Sequence, residues 1–241
     1  MGNLHLDKHI SRQFNQELED VRNRVLAMGG MVQQQISRAI QAVVERDGQL
    51  GEQVVQDDDA VNDLEIAIDE ECSRIIARRQ PAASDLRLIW MILKTTTDLE
   101  RMGDEAEKIG KMAVKLAEAE APQGAYTELE HLGAHVGRMV HDALDAFARL
   151  DTQAAVQVAQ EDEKIDREYE SILRQQITYM MEDPRNIRRA LDVTWAARAL
   201  ERIGDHARNI GEYVVYLVAG KDMRHSSVED LAREVGDATD E

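Results

Sequence analysis

The chain has 241 residues, a formal net charge of −18 and three prolines, and 43% of its residues are hydrophobic but only 4% aromatic. This composition favours a protein built almost entirely of helices, and the negative charge argues against nucleic acid as a partner because phosphates would be repelled. No run approaches the roughly 20 apolar residues that span a bilayer, so we expect no transmembrane segment. The lone Cys72 excludes an internal disulfide and suits a reducing, cytoplasmic location.

The first half of the chain contains three segments in which apolar residues recur every three or four positions, as in amphipathic helices. These segments predict helices over residues 7–47, 50–77 and 84–120. Pro81 cannot continue the second helix, and Ser84 is the expected N-cap of the third. Gly29 and Gly30 interrupt the first helix, which predicts close packing at that point.

The second half has the same plan, with helices predicted over residues 126–150, 153–181 and 186–220. A break at residues 121–124 divides the halves, so we expect one three-helix unit over residues 1–121, a second over 122–220 and a tail over 221–241. All three prolines fall at joints between predicted helices, which supports this segmentation.

An internal repeat relates the two halves. The stretch from Leu99 to Gly110 returns as the stretch from Leu200 to Gly211 with eight of twelve positions identical. Residues of the first helix also recur in the fourth, at a constant separation of 104 positions. The predicted fold is therefore all-α, with two tandem three-helix bundles related by a pseudo-twofold axis.

Each copy of the repeat carries two carboxylates four residues apart, Glu100 with Asp104 and Glu201 with Asp205. This spacing places both side chains on one face of a helix, where like charges repel by a few tenths of a kcal/mol. A bound cation would relieve the repulsion. The alternative is that these carboxylates are ordinary solvated surface.

A second set of acidic residues lies near the start of the second and fifth helices. Asp162 and Asp166 are four apart, whereas the first half offers either Asp58 with Asn62 or Asp59 with Asp63. If the helices pack antiparallel, each half brings four oxygen ligands together. Such ligands suit Fe, Mn, Mg or Ca, or a borderline ion such as Zn or Ni, and the sequence does not select one.

The histidines give weaker signals. The pairs His5/His9 and His131/His135 have a chelating i,i+4 spacing but no third ligand in view. His206 is best explained as a polar residue in the position that Glu105 holds in the other repeat. The sequence has no nucleophile with its base, no glycine-rich phosphate loop and no Glu-x-x-His motif on the repeated helices, which disfavours an enzyme.

Three stretches together resemble the PhoU family of bacterial phosphate-uptake regulators. They are residues 78–87 (RRQPAASDLR), 98–104 (DLERMGD) and 199–205 (ALERIGD). The resemblance covers nearly the whole chain and implies two repeated three-helix bundles, a cytoplasmic location and self-association as a homodimer. It also implies a negative regulator of phosphate uptake that links a phosphate ABC transporter, through its ATPase, to a phosphate-sensing histidine kinase. Membrane association would then be peripheral, through these partners.

The resemblance further implies that the acidic motifs bind divalent or ferric metal (Fe, Zn, Ni, Mn or Mg). By position, the ligands would be Glu100, Asp104, Glu201, Asp205, Asp162, Asp166 and Asp58. Because Asn62 stands where the second half has Asp166, we expect the first-half site to be weaker. Occupancy should fall as the pH approaches carboxyl pKa values near 4. The alternatives are acidic surfaces that recognise basic partners, or a metal-binding helical-bundle enzyme or metal-storage protein.

Overall fold

A computed structural model describes residues 12–119 and 125–220, together with residues 230, 233 and 235. Over these residues the chain forms six long helices and one short 3₁₀ turn at Pro184–Asn186, and no strand. The helices are α1 Arg12–Glu45, α2 Gly48–Arg79, α3 Ala83–Glu118, α4 Thr127–Arg149, α5 Thr152–Glu182 and α6 Ile187–Ala219. The all-α prediction is confirmed. His5, His9 and most of the predicted tail lie outside the described residues.

Side-chain caps set where α2 and α5 begin. Asp47 caps α2 by accepting a hydrogen bond from the Leu50 amide at 2.9 Å, and Asp151 caps α5 at the equivalent position. The prediction that Ser84 caps α3 is wrong. The N-cap is Ala82, which makes no side-chain hydrogen bond, and Ser84 lies inside the first turn.

The helices form two layers. In one layer α2, α3, α6 and α5 lie side by side, and in the other α1 packs on α4 while contacting α2 and α3. The three helices of each repeat therefore contact one another. The two repeats meet through equivalent helices, α1 with α4 and α3 with α6. Pairing of equivalent elements is what a twofold relation between the halves requires.

Individual residue pairs at the α1–α4 contact show the same twofold relation. A methyl group added at Gly29 would come within 2.6 Å of Leu144, and one added at Gly133 within 2.5 Å of Ile40. Both pairs are equivalent under the separation of 104 positions. The close packing predicted from Gly29 is confirmed, whereas Gly30 has nothing within 4 Å of an added methyl group.

The contact between the outer helix of each repeat (α2 or α5) and its inner helix (α3 or α6) involves backbone atoms, which can move aside less than side chains can. In the first repeat, a methyl group on Gly51 would lie 2.8 Å from the Gly110 carbonyl oxygen, and one on Gly110 would lie 2.9 Å from the Gly51 carbonyl oxygen. In the second repeat a methyl group on Gly211 would lie 3.0 Å from the Ala155 carbonyl oxygen. The helix backbones touch here, which fixes the depth at which acidic side chains of α2 and α5 meet α3 and α6.

We expect Gly110→Ala to lower the free energy of unfolding by about 1–3 kcal/mol, because backbone must move to admit the methyl group. Helix propensity alone would give the opposite sign. Gly30→Ala is the matched control and should raise stability by about 0.5–1 kcal/mol, since the site is open. Urea unfolding followed by circular dichroism measures both, and equal effects of the two substitutions would contradict the tight contact.

Candidate functional site

The acidic residues predicted from the sequence gather at two equivalent positions, one between α2 and α3 and one between α5 and α6. We call the first acidic cluster Asp58, Asn62, Glu100 and Asp104, and the second acidic cluster Asp162, Asp166, Glu201 and Asp205. The repeated motif glycines lie beneath them. A methyl group on Gly103 would be 2.9 Å from Asp58 Oδ1, and one on Gly204 would be 3.7 Å from Asp162 Oδ1. The glycine therefore lets a carboxylate from the outer helix reach the inner helix.

The structure settles the register left open by the sequence. Asp58 is buried with its carboxylate toward α1 and α3, whereas Asp59 and Asp63 are exposed. Gln35 Nε2 donates to Asp58 Oδ1 at 3.0 Å, and Asn62 Nδ2 donates to Asp58 Oδ2 at 3.1 Å. Asn62 thus serves as a hydrogen-bond donor to Asp58.

Burial also raises carboxyl pKa values in the first cluster. It raises the pKa of Asp58, with a further upward contribution from Asp104, while the Gln35 and Asn62 hydrogen bonds lower it. The pKa of Glu100 is raised by burial and then by Asp104 and Asp58. Glu65, which the sequence analysis did not single out, belongs here too, since burial and then Glu100 raise its pKa.

The second cluster is more deeply desolvated. Burial raises the pKa of Asp162 to about 6 and that of Glu201 to about 7, and Asp205 adds to both shifts. The pKa of Asp205 is itself raised, by loss of hydration and then by Asp166. Asp162 Oδ1 and Glu201 Oε2 are buried without a hydrogen-bond partner. Such oxygens carry a free-energy cost unless a proton or a cation approaches them.

Two arginines distinguish the second cluster from the first. Arg208 Nη1 lies 3.2 Å from Asp162 Oδ2, and Arg198 Nη1 lies 2.5 Å from Glu201 Oε1. The equivalent positions in the first repeat are Glu107 and Thr97. The second cluster therefore contains its own counter-charges, whereas Glu107 makes the first more negative. Matching the two repeats position by position is the signal that could have revealed this.

The fit of these residues to a metal ion is partial. The unpartnered, buried carboxylate oxygens provide the right donor type and charge for a hard or borderline cation. However, among the described residues no three His, Cys, Asp or Glu side chains are grouped as a ready-made metal site. The carboxylates would have to turn toward one another around an ion.

Comparison with known protein families identifies the family of this chain. The sequence-family model of the PhoU domain matches the chain twice, over residues 25–113 and 129–214. The chain belongs to the PhoU family. This assignment confirms the resemblance noted in the sequence, and each match spans one of the two repeats.

Close relatives cover nearly the whole PhoU-family chain. The phosphate-specific transport system accessory protein PhoU homolog of Pseudomonas aeruginosa is 56% identical over 231 residues, covering 95% of each chain. The accessory protein PhoU of Escherichia coli K12 is 51% identical over 231 residues, covering 96% of this chain and 95% of its own. These names describe accessory proteins, in agreement with the expectation that this PhoU-family chain is not an enzyme.

Solved structures confirm the architecture. The crystal structure of PhoU from P. aeruginosa superposes with a TM-score of 0.83 at 57% identity, covering 86% of this chain and 100% of that one. The phosphate transport system regulatory protein PhoU from Streptococcus pneumoniae gives 0.80 at 32% identity, covering 87% and 98%. Within the described residues, none of the helices combines the length and apolar character needed to cross a bilayer.

Two of the described histidines contact carboxylates of a neighbouring helix. His135 joins α4 to α5, with Nδ1 2.9 Å from Glu168 and Nε2 3.0 Å from Glu161. His206 is buried and lies 2.7 Å from Asp98 across the α3–α6 contact. It occupies the position of Glu105 in the other repeat, as the sequence analysis proposed, but its partner Asp98 was not foreseen.

The raised pKa of Glu201 makes stability depend on pH in a defined direction. In the unfolded chain this carboxyl titrates near 4.3, so between about pH 4 and 7 only the folded state keeps the proton. Stability is therefore lost as pH rises through this window. Relative to wild type, Glu201→Gln should reduce the loss between pH 5 and pH 8 by on the order of 1–3 kcal/mol.

Chemical unfolding at the two pH values measures this difference. Glu170→Gln, at an exposed position of α5, is the control and should leave the pH dependence unchanged. If Glu201→Gln and wild type lost the same stability between pH 5 and pH 8, the carboxyl would not be desolvated as described.

Proposed function

We propose that this PhoU-family protein is a negative regulator of phosphate uptake and of the phosphate-starvation response. It acts on the cytoplasmic side of the membrane, between the ATPase of a phosphate ABC transporter and a phosphate-sensing histidine kinase. The observation that carries the proposal is that both repeats match the PhoU domain and both keep the acidic cluster at the same place. The names of the relatives support a role in phosphate transport.

The architecture suits a protein that signals by contact. Each acidic cluster has water-accessible members, such as Glu100, Asp104 and Asp205, beside buried ones. Charged surfaces of this kind steer association and select partners of opposite charge. Self-association as a homodimer is part of the proposal, and exposed apolar side chains at the helix corners support it.

Deletion of the gene tests the regulatory role directly. Cells lacking the protein should express a phosphate-starvation reporter in high phosphate, and expression of the wild-type chain should restore repression. A reporter that stayed repressed after deletion would contradict the role and favour an enzyme or a metal-storage protein.

The accessible carboxylates should be required for this repression. Glu100→Lys combined with Asp205→Lys reverses one accessible charge in each cluster while leaving buried Glu201 in place, so repression should be weakened with little loss of helicity. The control, Glu163→Lys with Glu170→Lys, makes the same change in charge on the exposed face of α5 and should repress normally. Normal repression by the cluster variant would exclude the clusters as partner surfaces.

A second proposed role is metal binding at the acidic clusters. It is favoured by the unpartnered oxygens of Asp162 and Glu201, and a bound cation would neutralise charge that burial otherwise makes costly. Glu100, Asp104 and Asp58 would hold it in the first repeat, and Glu201, Asp205, Asp162 and Asp166 in the second. The arginines change the order of affinity expected from the sequence, because Arg208 already supplies positive charge where Glu107 supplies negative charge.

Substituting each of these two equivalent residues tests the role of the arginine. Arg208→Gln should strengthen Mn²⁺ binding at the second cluster, and Glu107→Arg should weaken binding at the first, each by about tenfold or more. Electron paramagnetic resonance of free Mn²⁺ gives the stoichiometry and affinity, and Arg174→Gln on the outer face of α5 is the control. Absence of Mn²⁺ binding in every variant would refute the metal role, whereas binding that ignored both substitutions would refute only the arginine effect.

A further inference from the structure

Helix α3 presents a regular row of positive charge on its outward face. Five basic residues follow one another at intervals of seven positions: Arg87, Lys94, Arg101, Lys108 and Lys115. Arg101, Lys108 and Lys115 are exposed, and the other two are half-buried. Residues seven apart lie on the same side of a helix about 10.5 Å apart, so these side chains form one stripe.

Exposed apolar side chains accompany the basic row. Both tryptophans of the chain are on this surface, Trp90 on α3 at 52% exposure and Trp195 on α6 at 63% exposure. Lys94 lies over the Trp90 ring, 5.4 Å from its centroid. On α6, Leu191 lies one turn from Trp195 and is also exposed. Large exposed aromatic rings on a soluble surface mark contact sites.

The same face of α6 continues the row. Arg188 and Arg202 stand at the positions equivalent to Arg87 and Arg101. The two helices cross antiparallel, because Asp98 lies against His206 and Glu105 lies 3.0 Å from Arg202 Nε.

Helices α1 and α4 cover one face of the layer formed by α2, α3, α6 and α5. The two stripes therefore join into one surface on the opposite face, between α2 and α5. We call it the basic band: Arg87, Lys94, Arg101, Lys108 and Lys115 of α3 with Arg188 and Arg202 of α6.

We propose that the basic band is the docking surface for an amphipathic α-helix of a partner protein, with apolar residues along one stripe and Asp or Glu at seven-residue intervals beside it. The net charge of this chain is −18, so a concentrated positive surface selects an acidic partner. A seven-residue interval is the spacing at which packed helices keep facing each other. The apolar stripe would cover Trp90 and Trp195, which supply most of the affinity, while the charged pairs set register and orientation.

The flanking acidic clusters favour a helix over a membrane. Glu100 and Asp104 lie on one side of the basic band and Asp205 on the other, so anionic lipid covering the whole face would meet these carboxylates. A helix about 10 Å wide lies along the band without covering both clusters. The proposal deepens the signalling role proposed above by specifying the chemistry of a partner, but its binding test does not depend on that role.

The probe is a synthetic helical peptide of roughly 28 residues, or four heptads, with Leu on one stripe and Glu beside it at seven-residue intervals. A matched peptide carries Gln in place of Glu. Because the only two tryptophans lie on the docking surface, a blue shift of their fluorescence reports binding directly. The acidic peptide should bind and the Gln peptide should bind at least about tenfold more weakly, with affinity falling as salt is raised.

The test variant is Lys94→Glu with Lys115→Glu, and the control is Arg74→Glu with Arg174→Glu, which makes the same charge change on the exposed faces of α2 and α5. The test variant should weaken binding of the acidic peptide at least about tenfold, and the control should not. Lys94→Gln with Lys115→Gln should give an intermediate loss, and circular dichroism confirms that each variant is folded.

Three results would overturn the proposal. One is equal binding of the acidic peptide to wild type and to the test variant. Another is a fluorescence shift with phosphatidylglycerol vesicles but not with the peptide, which would assign the surface to a membrane. The third is a dimer that sedimentation shows in wild type and not in the test variant, which would assign it to a second copy of this chain.

Discussion

The rest of the structure depends on the close contact between the outer and inner helix of each repeat. Glycines at this contact let the helix backbones touch, as at Gly51 and Gly110, so the carboxylates of Asp58 and Asp162 are carried into a region with little water. Their burial raises their pKa values, and the carboxylates of the inner helix then add to the same negative field. Packing thus creates the electrostatic feature on which the proposed function rests.

Duplication supplied the frame, and substitution within it made the two repeats different. The first cluster has Glu65 and Glu107, whereas the second has Tyr169 and Arg208 at those positions. Arg198 also lies over the Tyr169 ring, 5.7 Å from its centroid, which holds the guanidinium beside Glu201. One copy is an open acidic site and the other is largely compensated from within, so the two halves need not bind the same partner or ion.

The sequence was sufficient for the fold because its strongest signals are redundant. Apolar periodicity, prolines at joints and the internal repeat all predict the same six helices, and the observed ends fall within two residues of those predicted, apart from the start of the first helix, because residues 7–11 lie outside the described part of the chain. The sequence analysis left the rotation of α2 open because Asp57, Asp58 and Asp59 are consecutive, although Asp58 lies four residues after Val54 and three before Val61, on the face that is buried. The contact of Arg208 with Asp162 could not be predicted from the sequence, because whether a long side chain reaches the next helix depends on the distance between the two helices.

The central claim is that carboxylates at the α5–α6 contact are desolvated and lack full compensation. The most direct measurement is a ¹³C NMR titration of the Glu201 carboxyl group in the folded protein. The structure gives a pKa of about 7, which Asp205→Asn should lower because a neighbouring negative charge is removed. A Glu201 carboxyl that titrated near 4.3, as in an exposed glutamate, would contradict the account.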